Sequence, residues 1–108
     1  MVSAELAIAL PGLVAVAVML AWLLSLGFAQ GGLAQAAREG ARAAARGESA
    51  AVVREAVHRL APGARVTVRR RAEQVVVTAA ERREPPLALL RPFAQELRAS
   101  ATSWREEP

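Results

Sequence analysis

The sequence predicts an α+β protein with an N-terminal transmembrane helix that extends into a juxtamembrane helix. A small head follows, in which one helix covers a three-stranded antiparallel sheet. Three observations support this: residues 6–29 carry no ionisable side chain, residues 33–46 are rich in strong helix formers, and residues 64–104 contain segments of alternating polarity. The 108 residues allow at most one small domain beside the apolar segment.

The apolar segment is long enough to cross a membrane. At a rise of about 1.5 Å per residue, residues 6–29 reach about 36 Å, which exceeds a hydrocarbon core of about 30 Å. Trp22 and Phe28 lie toward its far end, where interfacial aromatic side chains are expected. We therefore divide the chain into a membrane segment, 1–29, and a head, 30–108.

The next segment, residues 30–47, predicts a juxtamembrane helix. Arg38, Arg42 and Arg46 recur at intervals of four residues, which places them on one helix face. Gly31-Gly32 indicates a local loosening of this helix, and Gly47 is a typical helix terminator.

A second helix is predicted over residues 49–61. Ser49 is a suitable N-cap residue. The residues Ala50, Val53, Val57 and Leu60 form an apolar stripe at helical spacing. This is the helix that we expect to cover the sheet, and Pro62-Gly63 ends it.

Three strands are predicted between residues 64 and 104. ARVTVRRR alternates, with Val66 and Val68 on one face, and QVVVTAAE follows after a turn near Ala72-Glu73, which is typical of a β-hairpin. LALLRPF predicts an apolar loop or a short turn. ELRASATSW then alternates again as a third strand, with four residues on its apolar face: Leu97, Ala99, Ala101 and Ser103.

No residue pattern points to enzymatic chemistry. His58 is the only histidine, and the chain has no cysteine, lysine or aspartate to complete a metal site or a Walker-type phosphate loop. We therefore expect no catalytic residue, no metal and no cofactor. Arg69-Arg70-Arg71 could contact phosphates, but nearby glutamates favour a solvated strand edge. Nucleic-acid binding is not expected, because two tryptophans and two phenylalanines supply few stacking surfaces.

Glu5 and Pro11 are the residues of the apolar segment with a functional interpretation. An isolated carboxylate is costly to place at a membrane boundary. If Met1 is the mature N-terminus, its α-amino group in one subunit could neutralise Glu5 of a neighbouring subunit. Pro11 removes one backbone hydrogen bond and could bend the helix.

These motifs resemble a known family. A small residue, glutamate at position five and about twenty apolar residues resemble the N-terminus of mature type IV pilins and pseudopilins. SAELAIALPGLV and AAREGARAAARG together resemble the TadE-like minor pilins of tight-adherence (Tad/Flp) pilus systems, and the hairpin with a final Ala/Ser-rich strand is similar to the rest of those proteins. The resemblance covers nearly the whole chain.

The resemblance implies a single-pass protein of the bacterial cytoplasmic membrane with an extracytoplasmic head. Its expected partners are other pilins, Tad-type pilus assembly proteins and membrane lipid. Met1, Glu5 and Pro11 would serve assembly, and Arg38, Glu39, Gly40 and Arg42 would serve juxtamembrane packing. Met1 stands where the first mature residue would be. Either a short basic leader that ends in glycine lies upstream and is cut by a prepilin peptidase, which we expect, or the protein is never processed.

Two other interpretations remain open. All fourteen arginines lie C-terminal to the apolar segment, so the positive-inside rule places the head in the cytoplasm. The chain would then be a generic single-pass protein whose basic domain binds anionic lipid or nucleic acid. Alternatively, Gly27-Phe28-Ala29 could be a signal-peptide cleavage site that releases a small secreted protein.

Overall fold

The computed structural model describes residues 2–86 and 88–104 of an elongated molecule with principal extents of 76 × 19 × 18 Å. Two α-helices, one 3-10 helix and three strands are described. In chain order they are α1 (Val2–Ala45), α2 (Ala50–Leu60), β1 (Arg65–Arg70), β2 (Gln74–Arg83), the 3-10 helix (Ala88–Phe93) and β3 (Gln95–Trp104).

Helix α1 is continuous from the apolar segment into the head. It passes through Pro11 and through Gly31-Gly32 without interruption, so the loosening predicted at the two glycines is wrong. Good helix formers on both sides of the glycines carry the hydrogen-bond pattern across them, because a glycine costs only about 1 kcal/mol relative to alanine in a helix. The membrane segment and the head therefore share one helix.

Helix α1 ends in a Schellman motif at Gly47. Gly47 has a φ of 85°, in the left-handed region that glycine adopts without steric penalty. Its N–H donates to the carbonyl of Ala44 at 3.0 Å, and the N–H of Glu48 donates to the carbonyl of Ala43 at 3.2 Å. The predicted terminator is thus confirmed, together with its mechanism.

Helix α2 begins at the predicted cap. The hydroxyl of Ser49 accepts a hydrogen bond from the N–H of Val52 at 3.3 Å. The predicted apolar stripe is partly wrong: Val53 and Val57 are buried, as expected, but Ala50 and Leu60 are exposed. Ala56 is buried as well, because α2 packs with its middle turns against α1.

The three strands form one antiparallel sheet in the order β1-β2-β3. Val66 pairs with Ala79 and Val68 pairs with Val77, which confirms the hairpin and its apolar face. Across the other side of β2, Val77 pairs with Ala101. The segment predicted as an apolar loop or a short turn before β3 is the short 3-10 helix Ala88–Phe93.

The core lies between the sheet and the C-terminal segment of α1. That segment packs against β2 and β3, whereas α2 packs on α1 and reaches β1 only at its margin. The predicted α+β fold is confirmed, and the helix that covers most of the sheet is the second half of α1. Its buried residues are Leu33, Ala36, Ala37, Gly40, Ala41, Ala43, Ala44 and Ala45.

Alanine dominates this core surface for a physical reason. Small side chains allow the axis of α1 to lie close to the branched side chains of the neighbouring elements. Those side chains are Val53, Val57, Val75 and Val77, each with a relative exposure of 0%. The core therefore consists of a smooth alanine surface on α1 packed against valines of α2 and β2.

Candidate membrane and assembly surface

The first two thirds of α1 expose a continuous apolar surface. The helix is long and apolar enough to cross a membrane, and no part of its most apolar segment is buried within the chain. Ile8 is 80% exposed and Leu13 is 67% exposed. An apolar surface of this extent is characteristic of a membrane or protein interaction site rather than of a free soluble surface.

The proposed assembly residues lie at the free end of this helix. Glu5 is exposed in the first turn of α1, where a negative charge interacts favourably with the unpaired N–H groups and the helix dipole. Pro11 lies further along the same helix and has no N–H to donate to the carbonyl of Ala7. Met1, the third predicted assembly residue, lies outside the described residues.

The residues predicted for juxtamembrane packing divide between the core and the surface. Gly40 is buried where α1 crosses α2 and β2: a Cβ at this position would lie 2.7 Å from Cγ2 of Val57 and 3.0 Å from Cγ1 of Val77. Arg38 and Arg42 are exposed, and Nη1 of Arg42 lies 3.5 Å from Oε2 of the half-buried Glu39. Only Gly40 of these residues is part of the core.

Arg70 has a structural role that the sequence analysis missed. Its guanidinium donates to the carbonyl of Ala44 at 3.3 Å and to the carbonyl of Glu48 at 2.8 Å. It therefore satisfies acceptors at the C-terminal end of α1, where a positive charge is also favoured by the helix dipole. The signal was present in the alternation of β1, because Arg70 follows Val66 and Val68 on the face of the sheet that meets the helices.

Gln30 holds the head against the end of the apolar segment. Its Nε2 donates to the carbonyl of Arg98 at 2.8 Å. Among the described residues β3 pairs only with β2, so this contact satisfies an acceptor on the open edge of the sheet. Gln30 is the first polar side chain after Ser25 along α1, and nothing in the local sequence indicates its distant partner.

His58 has a structural role in the head. His58 donates from Nε2 to the carbonyl of Ala64 at 3.0 Å, across the turn between α2 and β1. Within residues 2–86 and 88–104, no group of three or more His, Cys, Asp and Glu side chains could hold a metal ion. The same residues bury no polar or charged side chain in the core.

Comparisons with family models, curated proteins and solved structures give no match.

Proposed function

We propose that this chain is a TadE-like minor pilin or pseudopilin, a membrane-anchored component of a Tad-type type IV pilus assembly or secretion apparatus. The observation that carries the proposal is the continuity of α1. Its exposed apolar part and its buried alanine-rich part belong to one helix from Val2 to Ala45, so membrane segment and head are joined without a flexible linker. This arrangement suits a subunit whose helices stack beside those of its neighbours.

In this proposal the chain crosses the bacterial cytoplasmic membrane once, with its N-terminus in the cytoplasm and its head outside. A leader upstream of Met1, removed by a prepilin peptidase, would supply the cytoplasmic positive charge that the positive-inside rule requires. The resemblance of SAELAIALPGLV and AAREGARAAARG to TadE-like proteins supports this topology.

Glu5 is the proposed assembly residue. Its carboxylate is exposed on α1 and forms no ion pair with any described residue. The α-amino group of a neighbouring subunit would neutralise it within the membrane, where an unpaired charge is costly. The bond would form only on assembly, which makes Glu5 a determinant of incorporation rather than of folding.

The test compares Glu5→Gln with Glu39→Gln, the matched change at the other glutamate of α1. Both variants are expressed in a host with a Tad system, and other pilins that co-purify are quantified. We expect Glu5→Gln to reach the membrane normally but to lose most of its co-purifying pilins, while Glu39→Gln behaves as wild type. Undiminished co-purification of pilins with Glu5→Gln would contradict the proposal.

A second candidate function is favoured by the charge distribution alone. Because all arginines follow the apolar segment, a generic single-pass protein with a cytoplasmic basic head that binds anionic lipid or nucleic acid satisfies the positive-inside rule without a leader. The two candidates place the head on opposite sides of the membrane, so a topology measurement separates them.

A further inference from the structure

A cleft of about 410 Å³ lies between α1 and the end of the head that faces the apolar segment. One wall is a single face of α1, with Ser25, Phe28 and Gly32 at helical spacing. The opposite wall comes from the end of α2 and the end of β2. Its residues are Leu60, Ala61, Pro62, Glu81 and Arg83.

The position of the cleft along α1 sets its depth relative to a membrane. Ser25 to Ala29 are the last residues of the uncharged segment 6–29, and Gln30 is already bonded to the head. When residues 6–29 span the hydrocarbon core, the cleft lies at the level of the lipid headgroups. This step rests on the membrane anchoring in the proposed function, and it is independent of pilus assembly.

The cleft contains one cation and one anion. Nε of Arg83 lies 3.4 Å from Oε1 of Glu81, and the two side chains are 44% and 20% exposed. The pair leaves further guanidinium N–H donors and carboxylate lone pairs for a ligand. A ligand that matches both groups carries a negative and a positive charge a few ångströms apart.

The side of the cleft toward the membrane is apolar. Phe28 is 75% exposed and Leu60 is 44% exposed. Aromatic and branched side chains at this level contact the glycerol region and the first methylene groups of lipid chains. The cleft therefore changes from apolar to charged in the direction from the bilayer to the head.

We propose that this cleft binds a zwitterionic phospholipid with a primary ammonium group, of the phosphatidylethanolamine type. Arg83 binds the phosphate, Glu81 accepts hydrogen bonds from the ammonium group, and Phe28 and Leu60 contact the upper acyl chain. The headgroup of phosphatidylglycerol has no ammonium group, so it supplies no cation for Glu81 to bind. Phosphatidylcholine presents a quaternary ammonium that has no N–H to donate, so both lipids match the pair less well.

The test measures lipid retained by the full-length protein. The protein in mild detergent is mixed with equal amounts of phosphatidylethanolamine, phosphatidylglycerol and phosphatidylcholine, and bound lipid is counted by native mass spectrometry. We expect phosphatidylethanolamine to predominate on the wild type. Arg83→Gln lowers its retention about tenfold, the factor expected for loss of a charge-assisted hydrogen bond. Arg82→Gln, the neighbouring exposed arginine, leaves retention unchanged.

A second variant tests the assignment of the ammonium partner. Glu81→Gln should abolish the preference for phosphatidylethanolamine over phosphatidylglycerol while total bound lipid is maintained, since Arg83 remains. Equal retention of the three lipids by the wild type overturns the proposal. The proposal is also overturned if Arg83→Gln and Arg82→Gln retain equal amounts of phosphatidylethanolamine.

Alkaline extraction of membranes distinguishes failure of this inference from failure of the anchoring on which it rests. If the chain is extracted like a soluble protein, both fail together. If it stays in the membrane but shows no lipid preference, only the lipid site fails. Pilin co-purification with Glu5→Gln is a separate measurement that neither result affects.

Discussion

Gly40 of α1 lies so close to Val57 of α2 that a Cβ on Gly40 would be 2.7 Å from Cγ2 of the valine. The side chain of Val77 is almost as close, at 3.0 Å. Helices α1 and α2 and strand β2 therefore meet at Gly40, a position that only glycine fits. Both valines have a relative exposure of 0%, so neither can turn toward solvent.

Gly40→Ala should destabilise the head. Alanine gains up to about 1 kcal/mol of helix propensity, but overpacking against two stiff β-branched side chains costs about 1–3 kcal/mol. We expect a net loss of up to about 2 kcal/mol, seen as a fall in Tm in detergent by circular dichroism. Gly31→Ala, where a Cβ meets nothing within 4 Å, should raise Tm slightly. A Tm for Gly40→Ala at or above the Gly31→Ala value would contradict the packing.

Arg70→Ala should weaken the junction between β1 and the end of α1. The variant loses two hydrogen bonds to backbone carbonyls, at Ala44 and Glu48. For a largely exposed side chain we expect a loss of about 1–2 kcal/mol in unfolding free energy. Urea denaturation measures this loss. Arg69→Ala is the control, because Arg69 makes no side-chain hydrogen bond with the described residues. Equal midpoints for the two variants would rule out the capping role.

Ser49→Ala should destabilise α2 by about 1 kcal/mol, the usual effect of removing an N-cap side chain. The reason is that the N–H of Val52 loses the acceptor that it has at 3.3 Å. Ser49→Asp should retain the stability of the wild type, since aspartate is an equally good N-cap. Thermal unfolding of the wild type and the two variants tests this prediction. A higher Tm for Ser49→Ala than for Ser49→Asp would contradict the capping role.

The local features of the fold could be predicted from the sequence because each depends on a few neighbouring residues. Gly47 ends α1 through its own backbone conformation, and Ser49 caps α2 through an atom three residues from its partner. The alternation of Val66 and Val68 fixes the buried face of the hairpin, since successive strand residues point to opposite faces.

The packing of the helices could not be predicted in the same way. Ala36, Ala37 and Ala41 are small, and their apolar signal is too weak to show that α1, rather than α2, covers the sheet. Leu60 fits the helical stripe but lines the cleft between the end of α2 and α1, and it is therefore exposed. Burial there depends on how closely the two helices approach.

The long-range polar contacts could not be predicted from the sequence for a related reason. The hydrogen bond from Gln30 to Arg98 joins residues far apart in the chain, and either residue alone looks like an ordinary surface side chain. Arg70 had a signal in its position on β1, but the adjacent Arg69 and Arg71 made the three arginines look like one solvated group. The carbonyls that Arg70 binds belong to the end of α1 and to the turn that follows it, and the local sequence around Arg70 does not reveal this contact.

The most direct test of the proposed function is the side of the membrane on which the head lies. Trypsin cleaves after arginine, and the first arginine of the chain is Arg38. In intact spheroplasts the extracytoplasmic head should be digested, and a protected fragment that extends no further than Arg38 or Arg42 should remain in the membrane. A chain that stays full-length until the spheroplasts are lysed would place the head in the cytoplasm and contradict the pilin assignment.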